Sequence, residues 1–279
     1  MIIRDALRLG EARLAAAGVP DPRLDAEYLL AGVLLKPRLS VCLAKMDELS
    51  PAHWAQFEAL LSRRETREPL QYIQGEQSFY GRIFHCDSRA LIPRPETELL
   101  CEKAIAALKA LPRPAQVLDL CCGTGAIGLT LALECPSCQV MLTDLSPDAL
   151  ALAQENAQSL KAACRFMQGD LFAAVGDERY HLIVSNPPYI PAQECRVLQE
   201  EVRKEPLMAL DGGHDGLDFY RRIAREAPAH LLPGGWLMLE IGYDQGETVP
   251  ALLAESFESI ELHRDLNHLP RMVTARLKP

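Results

Sequence analysis

The sequence has no run of about 18 apolar residues, so no segment reads as a membrane-spanning helix. The charged start MIIRDALRLGEARL lacks the uninterrupted apolar stretch of a signal peptide, so a cytoplasmic protein with no membrane partner is expected. A disulfide framework is missing too: nine cysteines are an odd number, and Cys121-Cys122 lie in an apolar strand-to-loop run that suits reduced thiols. Cys135 and Cys138 form a CxxC, but no second pair follows at zinc-finger spacing and the seven histidines are scattered, so no metal is expected. Basic charge is scarce. A net charge of -9 and 6% aromatic residues argue for a protein partner and against direct nucleic-acid binding. Internal repeats and low-complexity segments are absent.

What is present is a chain of 279 residues, 48% hydrophobic, long enough for one large core and a small accessory domain. Residues 1–75 read as a small helical bundle. Asp21-Pro22 and Ser50-Pro51 each pair an N-cap with proline at the first helical position, followed by Leu24, Tyr28, Leu29 and by Trp54, Phe57, Leu60, Leu61 at helical spacing. Such a bundle either shields the domain that follows or docks a macromolecular substrate. Residues 76–95 read as a β-hairpin linker: FYGRIFHCDSRALIP, from Phe79 to Pro93, is rich in aromatic and β-branched residues, with Gly81 and Asp87-Ser88 as turn candidates. From 96 to 279 a helix to about Ala110 precedes an alternation of short apolar strands and helices: QVLDL, AIGLTLALE, QVMLTD, PDALALAQENAQSL, CRFMQGD, HLIVS. That order predicts a doubly wound, Rossmann-like α/β domain on a parallel sheet. FESIELHRDL and PRMVTARL then form a C-terminal antiparallel hairpin.

Strand QVLDL runs into Cys121-Cys122-Gly123-Thr124-Gly125-Ala126-Ile127-Gly128, after which the apolar spacing becomes helical. Glycines there let the backbone approach a ligand beside a helix N-terminus. The same pattern fits a dinucleotide fingerprint, with Asp144 close to the spacing of its ribose ligand, so NAD is a rival at this point. Asp144 ends QVMLTD at the carboxyl edge of the sheet, where a carboxylate accepts both ribose hydroxyls. Asp170 and Leu171 end the next strand on that edge, positioned to border an adenine.

The fourth strand delivers Asn186-Pro187-Pro188-Tyr189 to the same edge. Prolines donate no backbone hydrogen bond and fix φ, leaving carbonyls free to face a cleft. A carboxamide or adenine amino nitrogen has a delocalised, barely nucleophilic lone pair. If the Asn186 side-chain oxygen accepts one N–H and the Pro187 carbonyl the other, that lone pair turns toward a methyl donor while Tyr189 stacks on the flat group. The tetrad therefore favours methyl transfer from S-adenosylmethionine to a planar nitrogen, and by itself does not tell a protein amide from adenine.

Five segments in order, PLQYIQGEQSFYGRIF (69–84), LIPRPETE (91–98), DLCCGTGAIG (119–128), SNPPYI (185–190) and EIGYDQG (240–246), resemble the HemK/PrmC protein-(glutamine-N5) methyltransferases of peptide chain release factors. EPLMALDGGHDGLDFYRRI (205–223) matches the family pattern as well. The resemblance implies a class I methyltransferase domain, S-adenosyl-L-methionine as cofactor, and the glutamine of the Gly-Gly-Gln loop of bacterial class I release factors as substrate. It also implies a helical domain that helps dock the factor. Carried over by position, Cys121, Cys122, Gly123, Thr124 and Gly125 wrap the methionine portion of the cofactor. Asp144 takes the ribose, Asp170 and Leu171 border the adenine, Asn186 touches cofactor and substrate, and Pro187, Pro188 and Tyr189 complete the glutamine pocket. A monomer is expected. Cys121-Cys122 depart from the glycine or threonine common in relatives, so their backbone carries the role. Methylation of a ribosomal protein glutamine and of adenine N6 are the alternatives, and Arg94, Glu96 and Glu98 stay open between cleft residues and a helix start.

Overall fold

A computed structural model describes residues 1–111 and 113–279. These form two units. One comprises Met1–Glu76 with Gln199–Lys204, the other Gln77–Leu198 with Glu205–Pro279.

The first unit is helical: α1 (Ile3–Ala16), α2 (Pro22–Leu34), α3 (Arg38–Leu43), α4 (Pro51–Glu65) and α5 (Leu70–Gln74). Leu14, Leu29, Leu30, Phe57 and Leu61 are fully buried at its centre. At Gly10 an added Cβ would come 2.9 Å from Phe57 Cζ, so α1 and α4 approach closely. Ser50 caps α4, its hydroxyl accepting from the His53 N–H at 3.1 Å. Asp21 stands at the start of α2 but makes no side-chain cap. Leu24 and Tyr28 remain exposed, since the buried face of α2 is rotated toward Ala26, Leu29 and Leu30, and Tyr28 instead lies under the Arg38 guanidinium.

An ion cluster closes this unit over the Gln199–Lys204 excursion. Arg64, 4% exposed, donates to Asp25 Oδ2 and to Glu201 Oε1, both at 2.7 Å. Arg67 grips Glu201 with two bonds of 2.7 and 2.6 Å. Burial raises the Glu201 carboxyl, but the Arg67 and Arg64 hydrogen bonds outweigh it and bring the group down to about 2.

The second unit opens with a hairpin of β1 (Glu76–Phe79) and β2 (Arg82–His85), turning at Tyr80-Gly81 with positive φ at both. Gly81, the first of the two turn candidates, makes the turn, and β1 begins three residues ahead of Phe79. Phe79 and Phe84 pack edge to face, 5.9 Å apart, inside the unit's main core. There follow α6 (Glu98–Lys109), β3 (Gln116–Leu120), α7 (Ala126–Glu134), β4 (Gln139–Asp144), α8 (Pro147–Leu160), β5 (Arg165–Gln168), β6 (Tyr180–Ser185), α9 (Asp218–His230), β7 (Leu231–Glu240), α10 (Thr248–Leu253), β8 (Phe257–Arg264) and β9 (Pro270–Leu277). The seven-stranded sheet runs β5-β4-β3-β6-β7-β9-β8. β3 to β7 pair in parallel, β9 antiparallel to both β7 and β8, so the doubly wound sheet finishes in the expected hairpin. β3 and β6, buried along nearly their whole length, are hydrophobic runs because helices cover both faces. β5 stops at Gln168, two residues short of Asp170, where the chain turns into a short 3₁₀ segment (Leu171–Ala174).

Arg64→Ala is expected to lower stability by roughly 3–5 kcal/mol, because it leaves Asp25 buried without its cation. Urea unfolding of the full chain checks this; a loss under about 1 kcal/mol, the value of an exposed pair, would contradict it. The Glu201 contribution is present above the ordinary glutamate pKa of 4.5 and fades as pH falls toward about 2.

Candidate active site

The chain lays down β3, β4 and β5 outward in one direction, then returns to place β6 and β7 on the other side of β3. The order reverses between β3 and β6, the point where open α/β sheets bind ligands at the carboxyl ends of their strands. Leu120 pairs with Ser185 across it, and the buried Ser185 hydroxyl donates to the Leu120 carbonyl at 2.8 Å. The next residues are Cys121 on one strand and Asn186 on the other.

The glycine loop is shaped by left-handed backbone at Cys121 (φ 57°), Gly123 (φ 54°) and Gly125 (φ 81°). For Cys121, a residue with a side chain, that conformation is strained, a feature that gathers at ligand sites. Three anchors hold the loop. The Cys122 N–H donates to the Thr143 carbonyl at 3.0 Å, the Gly123 N–H to Asp144 Oδ2 at 2.9 Å, and the Gly128 N–H to Asp119 Oδ2 at 2.7 Å. Asp144 Oδ1 accepts from the Ser146 N–H at 2.9 Å, while Ser146 caps α8 through the Ala149 N–H. Burial raises the Asp144 carboxyl against the pull of the Gly123 and Ser146 amides. Asp119 is fully buried, its Oδ1 without a partner among the described residues, and burial lifts it to about 8. From α8, buried Asn156 donates to the carbonyls of Thr124 (3.0 Å) and His85 (3.1 Å) and accepts the His85 N–H at 2.6 Å, stitching loop to hairpin.

The Asn186–Tyr189 segment is held from outside the strand. Gln245, 5% exposed, donates to the carbonyls of Tyr189 (3.0 Å) and Gly216 (3.1 Å), and its Oε1 accepts the Gly242 N–H at 2.9 Å. A Cβ at Gly216 would strike the Tyr189 carbonyl at 2.3 Å, so glycine is required there. Burial pushes the Tyr189 hydroxyl pKa up.

A cleft of about 340 Å³ opens over this edge. Cys121, Cys122, Gly123, Thr124, Asp144, Asp170, Leu171, Asn186 and Pro188 all line it; Gly125, Pro187 and Tyr189 do not. Asp170 is drawn toward Arg222 of α9, 2.9 Å away. Beside Gly123 an added Cβ would find only Ala90, at 3.9 Å, which leaves room for a ligand against the backbone. Spacing alone missed the walls supplied by Ile92, Thr97, Met208 and Phe219. Their signal lay in the LIPRPETE and EPLMALDGGHDGLDFYRRI segments, which local pattern could not place. Arg94 lines the cleft while paired with Glu205, whose other oxygen accepts the Ile92 N–H at 2.9 Å. Glu98 takes a structural part, accepting the Tyr80 N–H of the hairpin turn at 2.8 Å. Thr97, 4% exposed, donates to Glu240 Oε2 at 2.6 Å.

A deep cleft at the switch point, a carboxylate at the second strand end and an amide side chain at the fourth suit a nucleoside-bearing ligand beside a planar polar group. Comparison with known proteins agrees. Residues 5–75 match the PrmC N-terminal domain model and 97–213 the methyltransferase small domain. A release factor glutamine methyltransferase of Cereibacter sphaeroides is 48% identical over 98% of this chain and 98% of its own length. One from Geobacter sulfurreducens is 44% identical over 99% and 96%. A methyltransferase structure from Pyrococcus furiosus shares the fold, with a TM-score of 0.53 at 17% identity, over 72% of this chain and 92% of that one.

Gly128→Ala tests the seating of the loop. Its Cβ would stand 2.7 Å from Leu142 Cγ and 2.9 Å from Asp119 Oδ2. Overpacking of about 1–3 kcal/mol is expected to outweigh the roughly 1 kcal/mol helix preference of alanine. A lowered melting temperature in calorimetry is the expected result; an unchanged one would mean that α7 does not pack this closely.

Proposed function

The chain belongs to the release factor glutamine methyltransferases, and we propose that it methylates the side-chain N5 of the Gly-Gly-Gln glutamine of class I peptide chain release factors. S-adenosyl-L-methionine is the methyl donor. The observation that carries this reading is the placement of Asn186 beside the Cys121–Thr124 loop at the edge of one cleft. When bound, the cofactor supplies a methyl group made electrophilic by a sulfonium sulfur.

The loop from Cys121 to Gly125 would hold its methionine portion through backbone groups, Asp144 its ribose hydroxyls, and Asp170 and Leu171 the border of its adenine. Both Asp144 oxygens already face amide donors on one side, which fixes the carboxylate at the cleft wall. Asn186 and the Pro187 carbonyl accept the two amide hydrogens of the glutamine, turning its nitrogen toward the reacting carbon. Pro188 closes the pocket and Tyr189 is held in place through its backbone by Gln245. Orientation of this kind contributes up to about 7–11 kcal/mol in the best intramolecular cases. The helical unit docks the factor, and the enzyme works as a cytoplasmic monomer. Among the described residues no helix is long and apolar enough to cross a membrane.

Asn186→Ala is expected to abolish turnover with the fold intact, since it removes an orienting acceptor and little core volume; near wild-type rates would refute the mechanism. Asp144→Ala should weaken cofactor binding by roughly 1–3 kcal/mol in calorimetry with S-adenosylhomocysteine. Incubation of release factors with labelled cofactor, followed by peptide mass spectrometry, should place the label on the Gly-Gly-Gln glutamine. Label found only in nucleic acid or in a ribosomal protein would overturn the substrate assignment.

A further inference from the structure

Methyl transfer to a carboxamide leaves a proton to dispose of. The nitrogen lone pair becomes the new C–N bond, and the sulfur keeps the electron pair of the broken C–S bond as a neutral thioether. The nitrogen then carries one proton too many, and it is a strong acid. We propose that Thr97 and Glu240 form the exit path of that proton, an inference that rests on the reading of Asn186 as the glutamine acceptor.

The placement comes from the sheet register. β6 and β7 pair in parallel with Ser185 opposite Leu239, so Glu240 follows on β7 where Asn186 follows on β6. Glu240 is 1% exposed and does not itself line the cleft. Thr97 does, and its hydroxyl donates to Glu240 Oε2 at 2.6 Å. Among the described residues, Glu240 Oε1 has no hydrogen-bond partner. A buried carboxylate with half its acceptor capacity unused is costly, and an apolar side chain at this strand position would spare the fold that cost.

A hydroxyl both accepts and donates. As the alkylated nitrogen turns tetrahedral, one of its two N–H groups leaves its first acceptor for the Thr97 oxygen, which takes that proton while passing its own to Glu240 Oε2; the N–H electron pair returns to the nitrogen, leaving a neutral N-methyl amide. Glu240 becomes a neutral carboxylic acid and yields its proton to water as products leave. The groups facing it are Arg271 from β9, Arg94 and Glu96 ahead of α6, Cys101 within α6, Tyr189 beyond β6 and Tyr220 on α9. Burial raises the carboxyl against the pull of Thr97 and Arg271, to about 7. The path is therefore open above neutrality, where Glu240 is ionised, and closed below it.

The test uses the full-length enzyme with S-adenosylmethionine and a release factor, comparing wild type with Thr97→Val, Thr97→Ser, Glu240→Gln and Asn186→Ala. For Thr97→Val, kcat should fall about 100-fold, the low end for general-base help, while KM and S-adenosylhomocysteine affinity change less than about 3-fold. Thr97→Ser should restore most of kcat. The wild-type rate should rise with pH through about 7, and that limb should vanish in Thr97→Val and Glu240→Gln. Apart from turnover, infrared spectroscopy of the free enzyme should show a protonated carboxyl band that disappears near pH 7 and is lost in Glu240→Gln, beside an Asp119 band that disappears near pH 8 and stays in that variant. A Thr97→Val enzyme with wild-type kcat and pH profile, beside an inactive Asn186→Ala, overturns the proton path and leaves the site reading standing. If Asn186→Ala also keeps wild-type rates, the site reading itself fails. Should Glu240→Gln not fold, the Thr97 pair decides.

Discussion

The parallel pairing of β3 with β6 is the constraint on which the site depends. Leu120 stands opposite Ser185, and the Ser185 hydroxyl fixes the two strand ends together at 2.8 Å. A shift of that register would move the glycine loop and Asn186 out of step. Because the chain winds outward from β3 in both directions, the gap between these strands is left uncrossed by any connection, and the cleft forms there.

Around this junction the protein tolerates three carboxylates that burial penalises, at or next to the carboxyl ends of β3, β4 and β7. Asp119 lies beneath the loop and holds the first turn of α7 through Gly128. Asp144 ties the loop to β4. Glu240 meets Thr97 on the far side. Each is raised by burial, and two keep an oxygen unpaired among the described residues. A core chosen for stability alone would favour apolar residues at such positions, so the cost is concentrated where ligand geometry is set. The helical unit treats charge differently: Arg64 and Arg67 satisfy Glu201 fully and hold it ionised, which serves to fasten the Gln199–Lys204 excursion.

Much of the fold was legible because strand and helix periods differ. Alternating hydrophobic runs predicted the doubly wound sheet, and adjacent apolar segments at the end predicted the antiparallel finish. Where local signals competed, they misled. Leu24 and Tyr28 fit helical spacing yet face solvent, since the partner helices decide which side of α2 is covered. Asp21 has the cap residue type without the cap bond. β5 ends at Gln168, and the chain turns at Gly169, where an added Cβ would stand only 2.7 Å from the Ala174 side chain.

The sequence by itself determined the order of the elements, the glycine loop, Asp144, and an amide-and-proline tetrad at a strand end, because each depends on residue type at short range. With the family resemblance it reached glutamine as the methyl acceptor. Only the tertiary structure decided which of those residues share a wall: Asn186 and Pro188 line the cleft, Pro187 and Tyr189 do not, and Gln245 holds the segment from 56 residues away. It alone brought Thr97 to Glu240 across 143 residues and Arg64 to Glu201 across 137. Contacts of that separation depend on strand register and helix packing, which a local pattern does not encode.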